Sequence, residues 1–251
     1  SDLSTLPPGG SIEEEQVPQV PFEWCLYADF DHHHSYAPIR HWGLTTQPVP
    51  LECSEADPAP RSGQVDCIVR MHDPARLTEL DRCIFSLCGQ IYRPLRVSLV
   101  TQRFTSDQMQ VLHAMLEPLR SLPDAPVIVV INFEGPEPKD ARSALLNLGI
   151  SLARGRYIAF LDYDDTLYSE AYALLVQRLH ASAAAIAFAS VRPMNVEVHG
   201  AFMRPLERRQ VDFKGQNLKD LLSANFCPIH SYLIDRSKVD GQLLRFDTAL
   251  D

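Results

Sequence analysis

From Val65 to about Ser182, short apolar runs alternate with stretches in which apolar residues recur every three or four positions. A chain patterned this way is limited to layered α/β arrangements in which helices cover a mainly parallel sheet. VDCIV (65–69), LRVSLV (95–100), PVIVVINF (126–133) and YIAFL (157–161) read as strands, and the third, apolar throughout, reads as buried on both faces. Leu77, Leu80, Ile84 and Leu87 fall on one helical stripe, and Met109, Leu112, Met115, Leu116 and Leu119 on another. Two more helices are expected over about 140–153 and 169–182. The last seventy residues change character: AAIAFASV (184–191), VEVHGAFM (196–203) and HSYLI (230–234) read as strands and NLKDLLS (217–223) as a short helix. They are expected to add mixed or antiparallel strands, giving a mixed, mainly parallel α/β sheet flanked by helices. No internal repeat is visible.

The segment before Val65 is of another kind. Residues 1–20 combine Pro-Pro, Gly-Gly and the Glu13–Glu15 run, too little apolar surface to order themselves, and read as a flexible tail. Residues 21–42 hold Phe22, Trp24, Tyr27, Phe30, Tyr36 and Trp42, an aromatic surface expected to pack on something. Residues 47–63, rich in Pro and acid, read as a connector. The chain is thus divided into a tail (1–20), an N-terminal extension with linker (21–63) and a folded domain (64–251). The net charge of −9 belongs to the first part: residues 1–60 carry ten acids and one base, and residues 61–251 carry 22 of each. A balanced body argues against nucleic acid as a partner. No apolar run approaches the roughly 18 residues of a spanning helix, so no transmembrane segment is expected in this chain. Six cysteines without a C-x-x-C pair suit buried thiols in a reducing compartment, hence a cytoplasmic location, at most peripheral at the inner face of a membrane. Adjacent side chains rarely converge on one ion, so the His32–His34 run with His41 reads as surface or packing. Cys83 and Cys88 read as core thiols.

The strand YIAFL runs straight into Asp162, Asp164 and Asp165. Open α/β sheets bind ligands just beyond the carboxyl ends of their strands. Three carboxylates within four residues repel one another unless a cation is shared. Mg²⁺ or Mn²⁺ fits, since such an ion takes a few carboxylates and leaves positions for diphosphate oxygens. The plainer alternative is a solvated acidic turn, or Asp165 as a helix cap.

These residues carry a family resemblance. ARSALLNLGISLARGRYIAFLDYDD (141–165) resembles the central stretch of family 2 glycosyltransferases, the nucleotide-diphospho-sugar transferases of GT-A (Rossmann-like) fold. VDCIVRMHD (65–73) and LRVSLVTQRFTSD (95–107) are similar in layout to that family's opening strands, and NFCPIHSYLIDRSKV (225–239) with LLRFDTALD (243–251) to its later motifs. The resemblance covers roughly residues 64–251. It implies metal-dependent, inverting transfer of a sugar from a nucleotide-diphosphate donor, UDP being the first choice, to a hydroxyl of a glycan or lipid-linked acceptor, as in polysaccharide biosynthesis. Carried over by position, Asp164 and Asp165 match the metal carboxylates, Asp165 foremost. Asp164 and Asp162 match nucleotide-sugar contacts, Asp162 as a supporting acid. Arg142 matches an arginine directed at the nucleotide, and Met71 and His72 fall where residues line the base pocket.

Two departures stand out. The family's acidic, base-reading loop after the second strand is here Thr101-Gln102-Arg103-Phe104-Thr105-Ser106-Asp107. The family's general base lies in a Glu-Asp motif beyond the "F-D-x-x-L" segment, past Asp251 in this numbering, so these 251 residues are expected to bind the donor and transfer poorly. A non-catalytic nucleotide-sugar-binding module is one alternative. Another enzyme class also fits FLDYDDTL (160–167): it resembles the nucleophile motif of haloacid dehalogenase-type phosphatases, in which Asp162 would attack phosphorus and Asp164 act as acid and base.

Overall fold

The computed structural model describes residues 62–135, 139–199, 202–208 and 227–247. The tail, the aromatic extension with its His32–His34 run and His41, Cys25 and Cys53, and the helix expected over 217–223 lie outside the described residues.

Four parallel strands come first, β1 (Val65–Met71), β2 (Leu95–Gln102), β3 (Val127–Phe133) and β4 (Tyr157–Asp162). Helices α1 (Leu77–Cys88), α2 (Ser106–Arg120) and α3 (Arg142–Leu152) connect them, and α4 (Ala171–His180) follows β4. Strands β5 (Ile186–Phe188), β6 (Met194–His199), β7 (Phe202–Arg208) and β8 (Tyr232–Asp235) complete the described elements. The main sheet has the order β3-β2-β1-β4-β8-β5, with β8 antiparallel to both neighbours, and β6 and β7 form a separate antiparallel pair.

The period of two along each strand sorts the core into two layers. Cys67, Val69 and Met71 of β1 and Tyr157, Ala159 and Leu161 of β4 pack with Leu80, Ile84 and Leu87 of α1, Leu112 and Leu116 of α2, and Tyr172 and Leu179 of α4. Ile68 of β1 and Ile158 and Phe160 of β4 turn the other way, onto Leu145 and Leu146 of α3. Gly149 lets α3 approach β1 closely, because a Cβ there would fall 2.4 Å from Ile68 Cγ2. On that face the Asn147 amide donates to the Phe246 carbonyl and accepts from its N–H, each at 2.8 Å, while the Phe246 ring stands edge-on to Phe160 at 5.3 Å.

Two buried carboxylates tie strands together at the opposite end of the sheet. Asp66 accepts from Gln64 Nε2 at 2.6 Å, from Gly155 N at 2.7 Å and from Arg154 N, joining the start of β1 to the loop before β4. Gly155 is required there, since a Cβ would meet the Gln64 carbonyl oxygen at 2.5 Å. Asp235, at the end of β8, accepts from Arg156 Nη2 at 2.7 Å and from Ser237 Oγ at 2.6 Å.

The strand and helix expectations hold for β1, β2, β4 and α1 to α4. The reading of the third strand as buried on both faces does not: β3 is an edge strand with Val127 exposed and only Ile128 fully buried. VEVHGAFM spans parts of two strands, and its antiparallel register pairs His199 with Phe202. Pro205 faces Val196, where the register shifts, as suits a residue with no N–H for the ladder. AAIAFASV contributes only three residues to β5.

Burial alone would raise the Asp235 carboxyl, but the hydrogen bonds from Arg156 and Ser237 outweigh it and hold it down to about 2 against an ordinary 3.8. A depressed carboxyl stabilises the fold above its unfolded value and loses that contribution as pH falls through the folded one. Asp235→Asn should therefore cost up to about 2 kcal/mol at neutral pH, trimmed by solvent around Arg156. In urea unfolding the difference from wild type should close between pH 3.8 and about 2.

Candidate functional site at the carboxyl edge of the sheet

After β1 the chain winds to β2 and β3 on one side, then returns to place β4 on the other. The strand order therefore reverses between β1 and β4, and it is at such a switch point, in the crevice outside the carboxyl ends of the strands, that open α/β sheets bind ligands. Register fixes what meets there: Ile68 lies beside Phe160, and Arg70 beside Asp162. Both Arg70 and Asp162 project to the α3 face, and the guanidinium grips the carboxylate with two hydrogen bonds, from Nε to Oδ1 and from Nη2 to Oδ2, the latter at 3.1 Å. Asp162 is thus neutralised by a residue that sequence reading did not single out.

Beyond Asp162 the backbone turns, with Asp165 N donating to the Asp162 carbonyl at 3.0 Å. Tyr163 points into the core and its ring receives the His72 imidazole in a T-shaped contact at 5.5 Å. Asp164 is exposed and Asp165 half-buried. Partial desolvation first, then the charges of Asp165 and Asp162, raise the Asp164 carboxyl above its ordinary value. The imidazole of His230 comes from a distant part of the chain, with Nδ1 2.7 Å from Asp165 Oδ2.

The structure brings His72, Asp162, Asp164 and Asp165 together. Met71 is fully buried beneath α1, so its side chain belongs to the core. Arg142 opens α3, exposed, and pairs with Asp140 at 2.8 Å, an interaction that holds the Asp140 carboxyl below its ordinary value. The loop after β2 is strapped to the end of β3: Asn132 accepts from Thr101 Oγ1 and Phe104 N and donates to the Phe104 carbonyl, each at 2.9 Å. Arg103, with φ 55°, donates from Nε to the Gly135 carbonyl at 2.6 Å. This loop offers no carboxylate before Asp107, which is exposed in the first turn of α2.

Among the described residues no three His, Cys, Asp or Glu side chains converge as a ready-made metal cage. What fits a divalent ion is the pair Asp164 and Asp165, hard oxygen donors side by side, with the Asp164 carboxyl raised by desolvation first and then by the charge of Asp165.

The family model for glycosyl transferase family 2 matches residues 75–241, two thirds of the chain. The chain belongs to glycosyl transferase family 2. No curated protein sequence matches it. The mannosyltransferase PcManGT from Pyrobaculum calidifontis, solved in complex with GDP-Man and Mn²⁺, is 12% identical with a TM-score of 0.50, covering 90% of this chain and 57% of that one. S. aureus TarS 1–349 is 14% identical with a TM-score of 0.40, covering 49% of this chain and 34% of that one. Its complex with UDP-GlcNAc is 16% identical with a TM-score of 0.38, covering 49% and 33%. The chain therefore spans about a third of TarS 1–349 and little more than half of the mannosyltransferase. The likeness to the mannosyltransferase shows the GT-A fold, and the matching family is one of glycosyl transferases. The phosphatase reading of Asp162 falls with that finding, and the carboxylate it needs as nucleophile is already held by Arg70.

Sequence reading missed Arg70 and His230. A charged residue inside VDCIVRM is a signal for the first, legible only once the β1–β4 register is known. Nothing in spacing signals the second. Removing Arg70 leaves Asp162 unpaired beside two more carboxylates. Arg70→Met should destabilise the protein by about 1–3 kcal/mol in urea unfolding, and Arg70→Met with Asp162→Asn should recover part of that loss.

Proposed function

We propose that the crevice between β1 and β4 binds a nucleoside-diphosphate sugar through a divalent metal held by Asp164 and Asp165, and that the protein transfers the sugar with inversion to a hydroxyl of a glycan or lipid-linked acceptor. The observation that carries this reading is the carboxylate arrangement at the switch point. Of three acids, Asp162 is neutralised by Arg70, while Asp164 and Asp165 lie beside it without such a guanidinium partner among the described residues, the Asp164 carboxyl raised by desolvation and then by the charge of Asp165. The Mn²⁺ and GDP-Man in the structure of PcManGT, which shares this fold, support the same chemistry here.

When bound, Mn²⁺ or Mg²⁺ would offset the charge that develops on the leaving diphosphate. Asp164 and Asp165 would hold it. Arg142, by leaving Asp140, reaches a phosphate or a base edge, where a planar guanidinium pairs in two places. His72, packed on Tyr163, walls the base side of the crevice, with Met71 behind it in the core. Asp162, locked by Arg70, fixes the turn that carries the two metal carboxylates. A carboxylate takes the acceptor hydroxyl's proton, a step assigned to none of the residues above.

UDP is the first choice of nucleotide, with GDP its competitor, because the loop at 101–107 lacks the acid that would read uracil. Polysaccharide synthesis in the cytoplasm is the setting this reading favours. Cys67 and Cys83 are buried free thiols, which suits a reducing compartment. Among the described residues no helix is long and apolar enough to cross a membrane.

Calorimetric titration with UDP, GDP and dTDP, each with Mn²⁺ and again with EDTA, tests the proposal. One nucleotide should bind only with metal, and Asp165→Ala should weaken that binding at least about tenfold. Absence of binding by all three nucleotides in Mn²⁺ would sink the donor-site reading. Tight binding without turnover would leave a nucleotide-sugar-binding module instead.

A further inference from the structure

β8 runs antiparallel to β4, pairing Asp235 with Tyr157 and Leu233 with Ala159. Continued backwards along β8, that register brings residue 230 level with residue 162, at the mouth of the crevice. The 3₁₀ turn Ile229–Ser231 occupies this position and is held from two sides. Ser231 donates to the Pro228 carbonyl from N at 2.9 Å and from Oγ at 2.6 Å, and its own carbonyl accepts from Ala189 N of the strand-edge segment at 2.8 Å. The backbone that carries His230 is therefore fixed relative to β4 without any help from the imidazole.

The ring itself has another partner. Its Nδ1 is shielded from solvent and faces Asp165 Oδ2 at 2.7 Å, a contact that falls short of hydrogen-bond alignment. A shielded ring nitrogen this close to a half-buried carboxylate, and not yet aligned with it, is suited to a bond that tightens when the carboxylate takes up its ligand. A contact between side chains that are 21% and 35% exposed contributes little to a fold whose strands are already paired. Carboxylates that ligate a metal, by contrast, depend on outer hydrogen-bond partners for orientation.

We propose that His230 is a positioning residue for donor binding: its Nδ1 holds Asp165 Oδ2, so that the Asp165 carboxylate presents its free oxygen to the divalent ion. This rests on the donor-site reading above and goes beyond it by assigning a residue outside the aspartate cluster to metal affinity. His230 touches neither sugar nor reacting atoms in this role.

The test is Mn²⁺ affinity, read from the electron paramagnetic resonance signal of free Mn²⁺ titrated into the 251-residue chain with saturating UDP or GDP. His230→Ala should weaken Mn²⁺ binding about 10–100-fold while its melting temperature moves by no more than about 4 °C. His230→Asn, whose amide nitrogen stands close to the place of Nδ1, should recover most of the lost affinity. Unchanged Mn²⁺ affinity in His230→Ala overturns the role of His230 and leaves the donor site standing. So does a loss in His230→Asn as large as in His230→Ala, which would mark the ring as packing. A His230→Ala chain that fails to fold leaves the comparison to His230→Asn against His230→Leu, with equal affinities overturning the proposal. Wild-type protein that takes up no Mn²⁺ with either nucleotide removes the donor-site reading itself.

Discussion

β1 and β4 lie side by side in parallel register from Val65–Tyr157 to Arg70–Asp162, and the arrangement of the carboxyl edge follows from that pairing. Because strand side chains alternate, the register that buries Ile68, Ile158 and Phe160 against α3 also delivers Arg70 and Asp162 to one face at the same height. A slip of one residue would turn these side chains away from α3 and separate the guanidinium from its carboxylate together. Hydrophobic packing and the electrostatics of the crevice are therefore specified by a single alignment, which Asp66 secures at the far end by bonding to the loop that leads into β4.

Acidic clusters are unstable arrangements, and this one is managed residue by residue. Arg70 neutralises Asp162, the imidazole of His230 stands against Asp165, and Asp164 is left facing solvent with its carboxyl raised by its surroundings. The two neighbours come from different parts of the chain, Arg70 from the end of β1 and His230 from the turn before β8. The repulsion that remains is small enough for the fold to tolerate and concentrated where a cation would relieve it.

Much of this was legible from sequence because it is local. The strands β1, β2 and β4 and the four helices follow from periodicity within windows of a dozen residues, and the aspartates announce themselves by their place after an apolar strand. What was not legible is relational. PVIVVINF reads alike at a sheet edge and in its middle, so the exposure of Val127 depends on strand order. VEVHGAFM has strand composition throughout, and only pairing divides it between β6 and β7. Met71 follows the alternation of β1 into the core, although its place after the strand pointed to the crevice. Arg70 and His230 acquire their partners through register and through the antiparallel return of β8, neither of which one sequence expresses.

The loop after β2 carries a further implication. Asn132 of β3 joins it by two hydrogen bonds to Phe104 and holds the end of β2 by a third to Thr101, Arg103 clamps it to Gly135, and Thr105 and Gln108 close a reciprocal cap on α2. A wall built this way has lost its conformational freedom when the protein folds, so a molecule settling against it loses only its own. The thermodynamic mark of such a surface is selectivity by shape: a guest that matches it imposes no ordering cost on the loop, and one that does not finds no pliable segment to accommodate it.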